Sequence, residues 1–131
     1  MRLTAIAPES KLKVLGESRR MSINTSTLLQ DTVLKTLMHR LIEQLGSNLQ
    51  ELWLFGSRAR GDGEADADYD VLVVAGGDQT RNRRILLEES NALMEDHNAL
   101  VGMLDYSPAA WQKTKKNPLG LNILREGIRL V

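Results

Sequence analysis

From residue 25 onward, apolar side chains recur at steps of three and four: Leu29, Val33, Leu34, Leu37, Leu41, Ile42 and Leu45. That spacing lines one face of an amphipathic helix. Thr25, Ser26 and Thr27 offer caps for its start, and Gly46 ends it. The period then changes. The run "LQELWLF", residues 49–55, is short, bounded by Asn48 and Gly56, and reads as a strand. "YDVLVVA", residues 69–75, is more continuously apolar, as a strand buried on both faces is. "GGDQ" breaks it, and residues 80–97 read as a helix with Ile85, Leu86, Ser90, Leu93 and Met94 facing inward. "ALVGMLDY", residues 99–106, is a third strand, with Gly102 set oddly in its middle. Ser107 and Pro108 start a short helix that runs to about Lys116, serine as cap and proline in the first turn. Pro118 opens another short helix, and "IRLV" closes the chain as an edge strand.

Helix, strand, turn, strand, helix, strand, helix is the order of an α+β (α/β-like) domain, a small mixed β-sheet with flanking helices. Residues 1–22 carry charge without a sustained period and read as an N-terminal arm or extension, with Met21 as an alternative start; the domain proper occupies residues 23–131. At 131 residues the chain is one domain, large enough to bury roughly two thirds of its surface in a core without staples. It has no cysteine, so disulfides and thiolate metal sites are excluded. Seventeen basic residues balance 17 acidic ones, and Trp53, Phe55, Tyr69, Tyr106 and Trp111 are its only aromatics, a poor make-up for generic nucleic-acid binding. The apolar run near the N-terminus is too short for a signal peptide and is broken by Pro8. No segment approaches membrane-spanning length, so a soluble cytoplasmic protein is expected. His39, the arginines at 81, 83 and 84, and "KTKK" read as packed or solvated surface; a basic helix end also suits the helix dipole.

The chemistry concentrates in "LWLFGSRARGDGEADADYDVLVV", residues 52–74, where a polar loop joins the first two strands. Alternate strand residues share a face, so Asp68 and Asp70 should point to one side and Tyr69 to the other. At a rise of ~3.3 Å per residue their Cα atoms are ~6.5 Å apart. Carboxylates so placed repel unless a cation sits between them, and hard oxygen donors suit Mg²⁺ or Mn²⁺. At the other end of the loop, Gly56 permits close backbone approach to a ligand. A short helix starting at Ser57 would present free N–H groups and a hydroxyl to an anion, with Arg58 and Arg60 adding charge-assisted contacts and Gly61 ending the turn. Taken alone, Gly-Ser is a common turn and an acidic loop is usually solvated; it is the combination with the flanking strands that points to a site.

Gly56-Ser57, ten intervening residues, then Asp68-Tyr69-Asp70 resemble the signature of the nucleotidyltransferase superfamily that includes DNA polymerase beta. "GSRARG" is most similar to its minimal nucleotidyltransferase branch, and the resemblance extends from about residue 26 to the end, about four fifths of the chain. It implies the nucleotidyltransferase fold, with Gly56 and Ser57 holding the phosphates of a nucleoside triphosphate, Asp68 and Asp70 binding Mg²⁺ or Mn²⁺ as the catalytic pair, and Arg58 and Arg60 as looser nucleotide contacts. The implied reaction transfers a nucleoside monophosphate, with ATP the expected donor, to a hydroxyl acceptor and releases pyrophosphate. Minimal domains of this kind often pair with a helical HEPN-type protein as a toxin–antitoxin couple. Nucleic acid enters only as an acceptor, and self-association is left open.

One departure stands out. The family carries a third carboxylate on the next core strand, facing the pair, and counting back from Ser107-Pro108 places it at Gly102. Asp105 is the nearest acid, but its odd offset puts it on the opposite face unless a bulge at Gly102 re-aims it. The alternative for Asp105 is a strand-end acid facing solvent or capping the next turn. Two functions follow as expectations: a metal-dependent transferase impaired at Gly102, or a nucleotide- or partner-binding subunit of antitoxin type without efficient chemistry.

Overall fold

The computed structural model describes residues 30–131, so the expected caps at 25–27, Leu29 and the arm boundary at 22/23 lie outside the described residues. Helix α1 spans Thr32–Leu45 and buries Leu34, Leu37, Met38, Leu41 and Leu45. Asp31 caps it, its carboxylate accepting from the Leu34 N–H at 3.0 Å, and Gly46 ends it at φ +55°. After a 3₁₀ turn at Gly46–Asn48 come β1 (Leu49–Phe55), the one-turn helix α2 (Ser57–Arg60) and β2 (Tyr69–Ala75). Helix α3 (Gln79–His97) leads to β3 (Val101–Tyr106), followed by α4 (Pro108–Thr114), α5 (Pro118–Glu126) and the two-residue β4 (Ile128–Arg129).

The four strands form one sheet in the order β3-β2-β1-β4. β1 runs antiparallel to β2 and to β4, while β2 and β3 are parallel and joined across one face by α3. The closing "IRLV" is thus an edge strand as the sequence suggests, pairing Ile128 with Leu54. Strand alternation splits the core in two. Leu52, Leu54, Val71, Val73 and Val101 face α1 and α3, whereas Trp53, Leu72 and Val74 pack with Trp111 of α4 and Ile123 of α5.

Helix α3 departs from its sequence reading at two positions. Met94 is 40% exposed, and the inward position beside Leu86 and Leu93 goes instead to the acid Glu89. Glu89 is tolerated there because α1 presents Arg40, at 3.0 Å from its carboxylate, and Gln44 as a second donor. The arginines of α3 are solvent-facing as expected, Arg83 reaching Asp105 at 3.3 Å. Ser107 caps α4 by accepting from the Ala110 N–H, with Pro108 behind it. Among the described residues no helix is long and apolar enough to cross a membrane.

Helices α4 and α5 meet without a side chain between them at one point. A Cβ on Gly120 would lie 2.1 Å from the Thr114 carbonyl oxygen and 2.3 Å from the Lys115 Cα. Backbone cannot yield there as a flexible side chain would. Gly120→Ala is therefore expected to lower stability by about 1–3 kcal/mol, read as a drop in the urea midpoint at unchanged slope.

Candidate active site

The site lies where the loop between β1 and β2 closes on the strand ends. Phe55 pairs with Asp70 in the antiparallel register, which brings Gly56 beside Asp70. Gly56 has φ +78°, and a Cβ there would fall 2.3 Å from Asp70 Oδ2. Glycine is needed here twice over, for its backbone angle and for its lack of a side chain. The chain then makes the single helical turn expected from Ser57. The Ala59 and Arg60 N–H groups return to the Gly56 carbonyl at 3.1 Å each, bonds that involve neither the Ser57 nor the Arg58 N–H. Gly61, at φ +81°, ends the turn with its N–H on the Ser57 carbonyl. Gly63 folds back over Ser57 so closely that a Cβ would stand 2.5 Å from the serine Oγ. That packing role of Gly63 was not singled out in the sequence, although a third glycine in a short loop is the available signal.

Asp70 is half-buried as the second residue of β2, and Asp68 is exposed just before the strand. Burial pushes the Asp70 carboxyl above the usual carboxylate range, the Asp68 charge adds to the rise, and Arg60 opposes it. The two acids therefore sense one another, as the alternation argument requires, while Tyr69 between them is buried with the α1/α3 core. The donor set suits a hard divalent cation: two carboxylates, that of Asp70 pushed up by burial and then by Asp68, beside a cradle that a methyl group would fill. Among the described residues no three His, Cys, Asp or Glu side chains converge as a metal cluster.

The two arginines have different surroundings. Arg60 is bonded to Asp62 at 3.1 Å and sits 3.5 Å from Glu126, and its charge is felt by Asp70. Asp62 foremost, then Glu126, holds the Arg60 pKa above its usual value. Glu126, at the end of α5, thus belongs to the site's surroundings although nothing near it in the sequence marks it. Arg58, expected as a phosphate contact, is engaged elsewhere: its guanidinium lies 3.8 Å over the Tyr69 ring and donates to the carbonyls of Ala67 and Ala65 at 2.8 Å each.

The β2–β3 register is continuous from Tyr69–Val101 to Val74–Tyr106, with Asp70 opposite Gly102. The position counted for a third carboxylate is thus directly beside the pair, and it is glycine. A Cβ on Gly102 would lie 3.9 Å from Asp70 Oδ1, ordinary contact. No bulge re-aims Asp105, which pairs with Val73 and bonds Arg83 from α3. Its partner is that arginine, rather than solvent or the next turn.

A sheet with a glycine-serine turn against paired strand-end aspartates, flanked by helices on both faces, defines a nucleotidyltransferase-type domain. The chain belongs to the nucleotidyltransferase domain family, whose profile matches residues 36–125. No curated protein is a significant sequence match to it. Several solved structures are similar to it. A chain of a toxin–antitoxin assembly crystallised with AMP-PNP is 21% identical, with a TM-score of 0.48 over 73% of this chain and 71% of that one. A chain of the complex between tri-AMPylated HEPN toxin and MNT antitoxin from Shewanella oneidensis is 19% identical, with a TM-score of 0.44 over 73% and 67%. A Sulfolobus solfataricus protein described as a nucleotidyltransferase is 23% identical, with a TM-score of 0.43 over 83% and 89%.

Tyr69 links the site to pH. Burial first, and then its hydrogen bond to Asp31, push its hydroxyl from 10 up to about 12. The fold therefore favours the neutral phenol. The stabilisation is complete below pH 10 and is lost as pH rises from 10 through about 12, by at most roughly 2–3 kcal/mol. Denaturant titrations across that window should show a shallower alkaline decline in Tyr69→Phe than in the wild type.

Proposed function

We propose that this chain is a divalent-metal-dependent nucleotidyltransferase that moves a nucleoside monophosphate from a nucleoside triphosphate, with ATP the expected donor, to a hydroxyl acceptor, and that Gly102 makes it a slow one. The observation that carries the reading is the contact at Gly56. The serine turn and Asp70 abut so closely that no side chain fits between them, which is what simultaneous engagement of phosphates and their cation demands.

In this reading Ser57 and the N–H groups opening α2 bind phosphate oxygens. Asp68 and Asp70 would hold Mg²⁺ or Mn²⁺, which when bound neutralises charge on the phosphates and orients them. Arg60 is placed to exchange its Asp62 and Glu126 partners for a phosphate oxygen. The acceptor oxygen forms a bond to the α-phosphorus as the bond from that phosphorus to the bridging oxygen of the β-phosphate breaks, and pyrophosphate leaves. The acceptor proton passes to water, because Gly102 offers no base opposite Asp70.

Gly102 also favours a second reading, a nucleotide-binding subunit that masks a partner without efficient transfer. The partner expected from the family resemblance is a HEPN-type protein.

Labelled ATP, Mg²⁺ and cell lysate separate the two. Transfer of label, lost by roughly 10²–10³-fold in Asp68→Ala and in Asp70→Ala, is the expected result. Label transfer that persists in both variants would refute the assignment, and Mg²⁺-dependent ATP binding with no pyrophosphate release would establish the binding subunit. Gly102→Asp, which the open contact at that position admits, should raise transfer by about 10-fold or more by restoring a base beside Asp70.

A further inference from the structure

Behind the carboxylate pair, three polar side chains from three separate segments meet. Tyr69 projects from β2 away from the aspartates on either side of it and donates its hydroxyl to Asp31, 2.9 and 3.1 Å from the two carboxylate oxygens. Asp31 is also the cap of α1. Arg58, the residue after Ser57, lies flat over the same Tyr69 ring, with one guanidinium nitrogen 3.9 Å from Asp31. Its Nε donates to the Ala67 carbonyl and a terminal nitrogen to the Ala65 carbonyl, each at 2.8 Å.

We propose that Arg58, Tyr69 and Asp31 are positioning residues that form a clamp beneath the site, fixing where Asp68 stands relative to Ser57. This rests on the reading of Asp68 and Asp70 as the cation-holding pair. Asp68 precedes the first residue of β2 and is itself exposed, so the sheet alone does not hold it. What holds it is the peptide before it, through the Ala67 carbonyl, and the residue after it, Tyr69. Arg58 grips both. Because Arg58 is covalently next to Ser57, the same guanidinium sets the distance across the loop from the phosphate-facing turn to the first carboxylate. Asp31 completes the clamp by fixing the Tyr69 hydroxyl and facing the remaining side of the arginine.

The surroundings make this stiffer than a surface ion pair. The Arg58 and Asp31 side chains are about four-fifths buried, 21% and 19% exposed, and Tyr69 is 6% exposed. Charged donors to carbonyls are about twice as strong as neutral ones, and a guanidinium over a partly desolvated ring adds to them. To touch a phosphate directly, Arg58 would have to leave two carbonyls, a ring face and a carboxylate together. Its contribution to ligand binding is therefore indirect.

That difference is measurable. A direct phosphate contact affects nucleotide affinity and leaves Mn²⁺ binding in the absence of nucleotide untouched. A positioning role affects Mn²⁺ alone, because the clamp sets the carboxylates. Three variants of the full chain are compared: Arg58→Met, Tyr69→Phe, which keeps the ring, and Asp31→Asn, which keeps a helix cap. Mn²⁺ affinity is read from paramagnetic broadening in NMR spectra, and backbone ¹⁵N relaxation reports the mobility of residues 65–68. Arg58→Met should weaken Mn²⁺ binding by about 10-fold and mobilise residues 65–68. The other two should do the same by a smaller factor while remaining folded.

Unchanged Mn²⁺ affinity and unchanged relaxation at 65–68 in folded Arg58→Met would overturn the clamp, as would nucleotide affinity falling alone. If Arg58→Met does not fold, unchanged values in both Tyr69→Phe and Asp31→Asn overturn it equally. If the wild type binds no Mn²⁺, the reading of the pair as a cation site fails, while the relaxation data still decide whether the clamp orders the loop.

Discussion

Everything at the strand ends depends on backbone meeting carboxylate at Gly56 and Asp70. The antiparallel register opposes Phe55 to Asp70, so the next residue must turn away within the radius of that acid. Only a residue without a Cβ can make the turn, since the added atom would be 2.3 Å from Oδ2. The left-handed angle at Gly56 directs the chain into α2 immediately. The glycine-serine turn and Asp70 thereby share one boundary, with no room for a side chain at Gly56. The close packing of Gly63 on Ser57 repeats the device on the other side of the turn.

Strand parity then distributes the labour. With Asp68 and Asp70 on one side, Tyr69 is committed to the α1/α3 core and lies buried between the two acids. That makes the direction of the pair a property of the core: Asp31 from α1 and Arg58 from α2 both terminate on Tyr69. It also explains why a neutral, cysteine-free chain with few aromatics can build the site. The arrangement uses one buried ring and short polar contacts rather than a broad charged surface.

Much of this was legible in the sequence because it follows from periods and from glycines. The strand bounds of β1 and β2, the helical turn at Ser57 ended by Gly61, the serine-proline start of α4 and the closing edge strand are all local patterns, and each has its local cause in the structure. The counting that placed Gly102 opposite the pair succeeded because β3 has no bulge, so its register with β2 stays in step. What was not legible required knowing which elements pack together. Glu89 reads as a surface acid until α1 brings Arg40 and Gln44 against it. Met94 has the spacing of a core residue but falls beside the stripe of Ile85, Leu86, Glu89 and Leu93 that α3 buries. Arg58 looks like a phosphate ligand by charge and position, and only the return of residues 65–67 across it reveals its other partners. Asp31 lies before the helix pattern becomes regular, and nothing in its neighbours links it to a tyrosine 38 residues away.

The glycine at 102 changes the energetics of the site as well as its chemistry. If Asp68 and Asp70 hold a divalent cation as proposed, they supply it few anionic oxygens, and phosphates and water would complete its shell. In that reading cation and nucleotide would bind as a unit, each raising the affinity for the other by the same factor, as linkage requires. Glycine at 102 also adds no further charge beside Asp70, which burial and Asp68 already push toward its neutral form. In the proposed reading such a site would bind a metal-bound triphosphate yet offer no base beside Asp70, and binding and catalysis would be separable at Gly102, where an added Cβ meets only ordinary contact.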